Sequence, residues 1–195
     1  MAMGRPRAFD IDCALDAALK VFWRKGYEGT SMPDLTEAMG ISRPSLYAAF
    51  GNKEELFRKA LDRYTEKSNK FLENVMSEPT ARAVVEKLLC GIIEAGTCAE
   101  NPRGCLLVQA ALSCGEEADP IREELIKRRG ETENALRKRF KRAKLEGDLP
   151  PHADPADLAR FIATVMQGMA VQTASGANRK ALQGIARVAL QAWPG

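Results

Sequence analysis

Apolar residues recur at spacings of three and four along nearly the whole chain, and this helical periodicity limits the fold more than any other feature. Side chains at that spacing share one face of an α-helix, whereas a half-buried strand needs strict alternation, which no segment shows. Breaks rich in Gly, Pro, Asn or Asp separate the periodic runs. The pattern predicts an all-α protein, and a length of 195 residues allows one or two domains.

Nine helices are predicted between these breaks. The first four are expected to begin at residues that favour the N-cap position, namely Asp10, Thr30 or Ser31, Ser42 and Asn52. The other five are expected at residues 81–99, 104–114, 120–146, 155–175 and 179–192. We predict a three-helix head at 1–52, a connecting helix at 53–78 and a larger C-terminal domain at 79–195.

The composition is that of a folded soluble protein, with 45% hydrophobic and 28% charged residues. The formal net charge of +3 does not by itself indicate a nucleic-acid partner. No apolar run approaches the roughly 20 residues that span a bilayer, and the N-terminus lacks the features of a secretory signal. The five cysteines form no CxxC pair, so they predict neither a disulfide framework nor a metal site. We therefore expect reduced thiols, a cytoplasmic location, and no metal or cofactor.

Two short predicted helices joined by Gly40-Ile41-Ser42 have the spacing of a helix-turn-helix. In that motif the second helix enters the major groove of DNA, and its N-terminal side chains contact base edges. The corresponding side chains are Arg43, Pro44, Ser45, Tyr47 and Ala48. Arg43 offers the pair of donors that suits guanine, and Tyr47 can reach a phosphate with its hydroxyl.

Further DNA contacts are predicted around this motif. The candidates are the helix caps Thr30, Ser31, Ser42 and Asn52, together with Lys53, Arg5 and Arg7. Helix N-termini attract anions, and Lys53 lies in a first turn where a cation is unfavourable unless an external phosphate balances it. Arg5 and Arg7 precede the first helix on an arm that can reach the minor groove. Residues 1–75 contain 12 Lys and Arg against 11 Asp and Glu, so any basic surface must come from their arrangement.

This part of the chain resembles the TetR family of bacterial transcriptional regulators. The resemblance covers residues 9–64 and rests on the order Phe22, Gly26, Thr30-Ser31, Leu35, Gly40-Ile41-Ser42, Leu46-Tyr47, Phe50 and Lys53-Glu54. It implies a homodimer with a nine-helix, Ω-shaped fold, in which a C-terminal ligand pocket controls the DNA-binding heads. By motif position it implies that DNA is faced by Thr30, Ser31, Arg43, Pro44, Ser45, Tyr47, Ala48 and Lys53. The resemblance weakens beyond about residue 75 and identifies no ligand.

The last two predicted helices are apolar on more than one face, so they need partners on both sides. A four-helix interface, with two helices from each protomer of a symmetric dimer, would supply these partners. The predicted interface residues are Phe161, Val165, Leu182, Ile185, Val188 and Ala189. The alternative is that these side chains form the core of a monomer.

A ligand pocket is expected among the helices between residues 81 and 175. The candidate lining residues are Cys105, Gln109, Met166, Gln167 and Met169. Methionines adapt to ligands of varied shape, although each of these residues is also an ordinary core residue. Few ionisable groups fall on the apolar faces, so we expect a neutral or apolar effector.

The leading hypothesis is a DNA-binding regulator without enzymatic activity, a repressor that a small molecule releases from a palindromic operator. Cys105 begins a predicted helix, where a thiolate is stabilised, so a thiol- or electrophile-sensing regulator is one alternative. A helical enzyme using the C-terminal cavity is another, although His152 is the only histidine and lies in a Pro-rich loop. A helical scaffold that has lost DNA binding is the third.

Overall fold

The computed structural model describes residues 9–112 and 119–194 and confirms the all-α fold. Nine helices occupy these residues: α1 (Ile11–Lys25), α2 (Met32–Met39), α3 (Arg43–Phe50), α4 (Lys53–Met76), α5 (Ala81–Thr97), α6 (Leu106–Leu112), α7 (Asp119–Leu145), α8 (Pro155–Ala174) and α9 (Arg179–Gln191). The last five begin within two residues of the predicted positions. None of the described helices combines the length and apolarity that a bilayer crossing requires.

Short polar side chains determine where most of these helices begin. In seven of them the N-cap side chain accepts a hydrogen bond from a backbone N–H in the first turn. The seven caps are Asp10, Ser31, Ser42, Asn52, Thr80, Asp154 and Asn178. Between α2 and α3, Gly40 adopts the left-handed conformation with a φ of 64°, which a residue without Cβ reaches at little cost. The chain can therefore turn sharply from α2 into α3.

An N-terminal core encloses the inner faces of α1, α2, α3 and the first half of α4. Phe22 and Phe57 meet edge to face at its centre, with ring centroids 4.9 Å apart. Four residues of α6 and α7 belong to the same core: Leu106, Ala110, Ile121 and Leu125. The head is thus packed directly against α6 and α7 of the C-terminal half.

A second core lies among α5, α8, α9 and the C-terminal half of α7. Phe140 of α7 and Trp193 pack there with ring centroids 5.0 Å apart. Helix α4 contributes Val75 to this core and Leu56 and Phe57 to the first one. Because α4 belongs to both cores, the domain boundaries at residues 52 and 78 stay predictions.

Candidate nucleic-acid interface

Helix α3 has one buried and one exposed face. Leu46 and Phe50 are buried in the N-terminal core. The exposed face consists of Arg43, Pro44, Tyr47 and Ala48, with Ser45 half-buried at its edge. The outer face therefore lies where the sequence predicted it, while its DNA contacts stay predictions.

Hydrogen bonds within α3 organise this outer face. The Ser42 hydroxyl oxygen accepts a hydrogen bond from the backbone N–H of Ser45 at 3.3 Å, and the two serine hydroxyls are 2.9 Å apart. One turn further on, Arg43 Nη2 donates to the hydroxyl oxygen of Tyr47 at 3.3 Å. The cap thus fixes the first turn, and the Arg43–Tyr47 contact joins the first turn to the second.

Of the four helix N-termini in the described part of the head, that of α3 is the one without an acidic residue in its first turn. The first turns of α1, α2 and α4 each contain a carboxylate, whereas the first turn of α3 contains Arg43 and no acidic residue. A helix N-terminus carries a partial positive charge that a carboxylate would neutralise. The start of α3 therefore combines this charge with a guanidinium, which suits the negative potential of a DNA groove.

The caps of α2 and α4 are already bound to carboxylates of their own chain. The backbone N–H of Ser31 donates to Asp34 Oδ2 at 2.9 Å, and that of Asn52 donates to Glu55 Oε2 at 2.8 Å. Lys25 donates a hydrogen bond to Asp34, and together with Ser31 it lowers the pKa of this carboxyl to about 2. These two N-termini carry a built-in negative charge, so they attract a phosphate less than a free helix N-terminus would.

Thr30 does not fit the prediction that it faces DNA. Its side chain is buried, and its hydroxyl donates to the carbonyl oxygen of Gly26 at 2.6 Å. The hydroxyl closes the end of α1, because Gly26 is the C-cap residue of that helix. Ser31, the next residue, is the exposed cap of α2.

Lys53 lies half-buried in the first turn of α4, and its ammonium stands 4.6 Å from the centroid of the Tyr27 ring. Burial lowers the pKa of Lys53 from its ordinary value, while the charge of Glu28 opposes this shift. The aromatic ring holds the lysine against the turn that joins α1 to α2. The predicted phosphate contact of Lys53 is untested, and no sequence pattern indicated the Tyr27 contact.

Lys59 is a functional candidate that sequence reasoning missed. Its ammonium donates to the carbonyl oxygen of Phe50 at 3.1 Å and lies 5.9 Å from the centroid of the Phe50 ring. Phe50 is the last residue of α3, where backbone carbonyls lack helical partners. Lys59 thus attaches the end of α3 to α4. The two residues are nine positions apart, so no local motif could have indicated the contact.

The remaining predicted DNA contacts, Arg5 and Arg7, lie outside the described residues. The same holds for Cys114.

Two family models match the chain. One, described as "Bacterial regulatory proteins, tetR family", matches residues 14–60, and the other, "Tetracyclin repressor-like, C-terminal domain", matches residues 85–189. The chain belongs to the TetR family. The first match contains the whole helix-turn-helix, and the second covers more than half of the chain.

Relatives within the TetR family support the same assignment over almost the full length. The chain is 35% identical over 193 residues to the HTH-type transcriptional repressor ComR of Escherichia coli (strain K12), covering 98% of this chain and 92% of that one. A cysteine-substituted CifR, solved with 26-bp double-strand operator DNA, is 46% identical with a TM-score of 0.93, covering 97% of this chain and 100% of that one. A second such CifR complex is 45% identical with a TM-score of 0.94, covering 98% and 100%.

These findings decide between the functional alternatives. The chain is a DNA-binding transcriptional regulator of the TetR family and not an enzyme. They do not favour the thiol-sensing alternative. The four described cysteines are free thiols, and Cys105 accepts a hydrogen bond from the Tyr64 hydroxyl at 3.4 Å. Tyr64 is half-buried at the edge of the N-terminal core, and removal of its hydroxyl from water, followed by the charge of Cys105, raises the pKa of Tyr64 well above the ordinary value.

The predicted dimer residues divide into two groups. Leu182 and Ala189 are buried in the C-terminal core of their own chain, so their assignment to an intersubunit surface is wrong for this structure. Phe161 and Val188 are 39% and 61% exposed, and Val165 and Ile185 are half-buried. Helix α9 carries two apolar stripes, and sequence periodicity could not tell which stripe faces the chain's own core.

The predicted pocket residues lie in two different parts of this TetR-family fold. Met169 is fully buried in the C-terminal core with Met166 at its edge, whereas Cys105 contacts Tyr64 beside the N-terminal core. The grooves on the described surface include one of about 420 Å³ between α5 and α9 and one of about 440 Å³ between α1 and α4. The five predicted residues line neither groove. The effector site therefore stays a prediction.

Proposed function

We propose that this regulator is a homodimeric repressor that a small-molecule effector releases from a palindromic operator. The outer face of α3 carries the proposal, because it combines Arg43, Tyr47 and a helix N-terminus without an acidic residue on one exposed surface. Relatives named as repressors support this sign of regulation. Since its partner is chromosomal DNA, we place the protein in the bacterial cytoplasm.

The proposed DNA contacts can be tested without knowing the operator. Fragments selected from a random double-stranded library would provide a binding site, and affinity would then be measured over a range of salt concentrations. Arg43→Ala is expected to cost about 1–3 kcal/mol at its base pair and to relax the preference there. Lys53→Ala is expected to weaken binding to all sequences alike and to reduce the salt slope by about one.

Either of two results would count against these DNA contacts. One is that the protein enriches no palindromic sequence. The other is that Arg43→Ala leaves the base preference unchanged, which would remove Arg43 from direct readout.

The exposed apolar face of α8 and α9 supports the proposed homodimer. Phe161 and Val188 are large and exposed. On the same two helices Gly168 and Gly184 face open space, with no neighbouring atom within 4 Å of the position that a Cβ would take. Glycines on an exposed helix face let a second helix approach closely. A stripe of this kind on each of two adjacent helices fits a four-helix interface with a second copy of the chain.

Val188→Glu would test this interface, because it introduces a charge at its expected centre. We expect it to shift the protein from dimer to monomer in analytical ultracentrifugation. Leu145→Glu is the matched control, since it introduces the same charge at an apolar side chain that is 89% exposed at the end of α7 and is not part of the proposed interface. A dimer that survives Val188→Glu, or a monomeric wild type, would contradict the proposal.

The effector is proposed to act through α4, the helix shared by the two cores. A ligand can release DNA only by binding more tightly to the conformation in which the heads do not fit the operator. We keep the expectation of a neutral or apolar effector and of a site near Met166, Gln167, Met169, Cys105 and Gln109. A screen for compounds that lower operator affinity, followed by Met166→Ala and Gln109→Ala, would test this site. Unchanged effector affinity in both variants would exclude it.

A further inference from the structure

We propose that Tyr47 determines specificity as a positioning residue, by holding the Arg43 guanidinium in place for base readout. The inference rests on the proposed role of α3 in binding DNA. It adds that Arg43 and Tyr47 act as a coupled pair and not as two independent contacts.

Two contacts join the pair. Arg43 Nη2 donates to the Tyr47 hydroxyl at 3.3 Å, and the guanidinium carbon lies 5.6 Å from the centroid of the Tyr47 ring. The residues are four apart on the exposed face of α3, so their side chains are neighbours on the helix surface. Within the described part of the chain, Arg43 forms no ion pair with a carboxylate. Tyr47 is therefore the side chain that restrains the guanidinium.

The direction of the contact explains its effect. Long side chains on a helix point back toward its N-terminus. Arg43 is the first residue of α3, so an unrestrained side chain would point off the start of the helix. Tyr47 points back from the second turn and holds the guanidinium over the outer face of the helix. The five donors of Arg43 are thereby kept on the surface that enters the groove.

The chemistry of the phenol allows both residues to contact DNA together. The Tyr47 oxygen accepts a hydrogen bond from Arg43, which leaves the phenol O–H able to donate to a phosphate oxygen. A donor and an acceptor linked in this way polarise each other and strengthen both hydrogen bonds. The phosphate contact of Tyr47 then fixes the register in which Arg43 meets its base.

The test is a double-mutant cycle on base discrimination. Wild type, Arg43→Ala, Tyr47→Phe and the double variant would be measured on a fragment enriched from a random library and on all its single-base variants. Tyr47→Phe keeps the ring and removes only the hydroxyl. Because Tyr47 is exposed, this change should leave the fold intact, and thermal unfolding would check that it does. Tyr64→Phe is the matched control, because it removes a phenol hydroxyl that donates to Cys105, at a position for which no DNA contact is proposed.

We expect Tyr47→Phe to reduce discrimination about twofold to tenfold, because the Arg43 side chain would then lose its conformational freedom only on binding DNA. The loss should occur at the same base pair that Arg43→Ala affects. In the Arg43→Ala background, Tyr47→Phe should weaken all sequences equally. Tyr64→Phe should leave discrimination unchanged.

Two outcomes would overturn the coupling. If Tyr47→Phe weakens wild-type binding uniformly, with Arg43-dependent discrimination intact, Tyr47 is a phosphate contact alone and the DNA-binding role of α3 stands. If wild type discriminates no bases, or Arg43→Ala changes none, the proposed role of Arg43 fails together with the coupling.

Discussion

Thr30 donates its hydroxyl proton to Gly26, 2.6 Å away, at the point where α1 ends. The side chain is buried, so breaking this hydrogen bond would leave a carbonyl oxygen in the protein interior without that partner. The motif position of Thr30 predicts that its hydroxyl contacts DNA, yet here the hydroxyl forms a hydrogen bond inside the protein. A change at Thr30 should therefore act on stability before it acts on DNA binding.

Thr30→Val is expected to lower the free energy of unfolding by about 1–2 kcal/mol, because it keeps the shape of the side chain and removes the donor. The salt slope of DNA binding should be unchanged, since no phosphate contact is lost. Urea unfolding and binding titrations at several salt concentrations would measure the two quantities. Thr164→Val is the matched control, because its hydroxyl donates to a carbonyl on the exposed surface of α8. A salt slope reduced by about one in Thr30→Val would show that Thr30 contacts phosphate after all.

At the scale of a single helix, the carboxylate of Asp34 caps the N-terminus of α2 and also pairs with α1. Asp34 accepts from the backbone N–H of Ser31, while the Ser31 hydroxyl accepts from the N–H of Asp34. Lys25 of α1 donates to the same carboxylate at 2.7 Å. The cap of α2 is therefore also a link to α1, and its strength depends on the charge of Asp34.

The lowered pKa of Asp34 predicts how the stability of this cap depends on pH. Its pKa falls from an ordinary 3.8 to about 2, chiefly through Lys25, so the ionised form stabilises the fold at pH values above 3.8. That contribution is lost as the pH falls from 3.8 through about 2. The difference in unfolding free energy between wild type and Asp34→Asn should be constant near neutral pH and shrink across this window.

Lys25→Gln provides the control for the cause of this shift. Without the lysine, the pKa of Asp34 should return part of the way to its ordinary value, and the pH-dependent difference should become smaller. Unfolding followed by circular dichroism at each pH would measure it. A difference between wild type and Asp34→Asn that stays constant down to about pH 2 would contradict the assignment.

For the molecule as a whole, α4 carries the connections between the DNA-binding head and the rest. On one side, Arg63 pairs with Asp16 of α1 at 3.1 Å. On the other, Arg128 of α7 pairs with Asp62 of α4 at 2.6 Å and with Glu124 of its own helix at 2.6 Å. Movement of α4 relative to α7 would break the Arg128–Asp62 pair, so this pair opposes displacement of the head.

Arg128→Met is expected to lower the free energy of unfolding by about 1–2 kcal/mol, since Arg128 is largely shielded from water but Asp62 is exposed. The loss should be smaller at high salt, because screening weakens the pair already present in wild type. Urea unfolding at low and high salt would measure it. Arg122→Met is the matched control on α7: its pair with Asp119 is exposed at both ends and should contribute less than about 0.5 kcal/mol. Equal effects of the two substitutions would contradict a special role for Arg128.

Local sequence was sufficient to predict the helices, most of their N-caps, the helix-turn-helix and the membership of the TetR family. Each of these depends on residues within a few positions of one another, such as Ser42 and Ser45 or Asn52 and Glu55, and the spacing of side chains on a helix is fixed by its geometry. The outer face of α3 follows from the same geometry. Local residue patterns were therefore enough to define the helices and the kind of surface that the head presents.

Which of several equivalent helix faces turn inward depends on the packing of helices that are distant in sequence. Leu182 and Val188 both lie on apolar stripes of α9, yet the first is fully buried and the second is 61% exposed. Lys59 reaches Phe50, and Arg128 reaches Asp62, across separations that carry no periodic signal. Periodicity defines the faces of a single helix, but a face becomes buried only where a neighbouring helix packs against it, and those neighbours are fixed by contacts between distant parts of the chain.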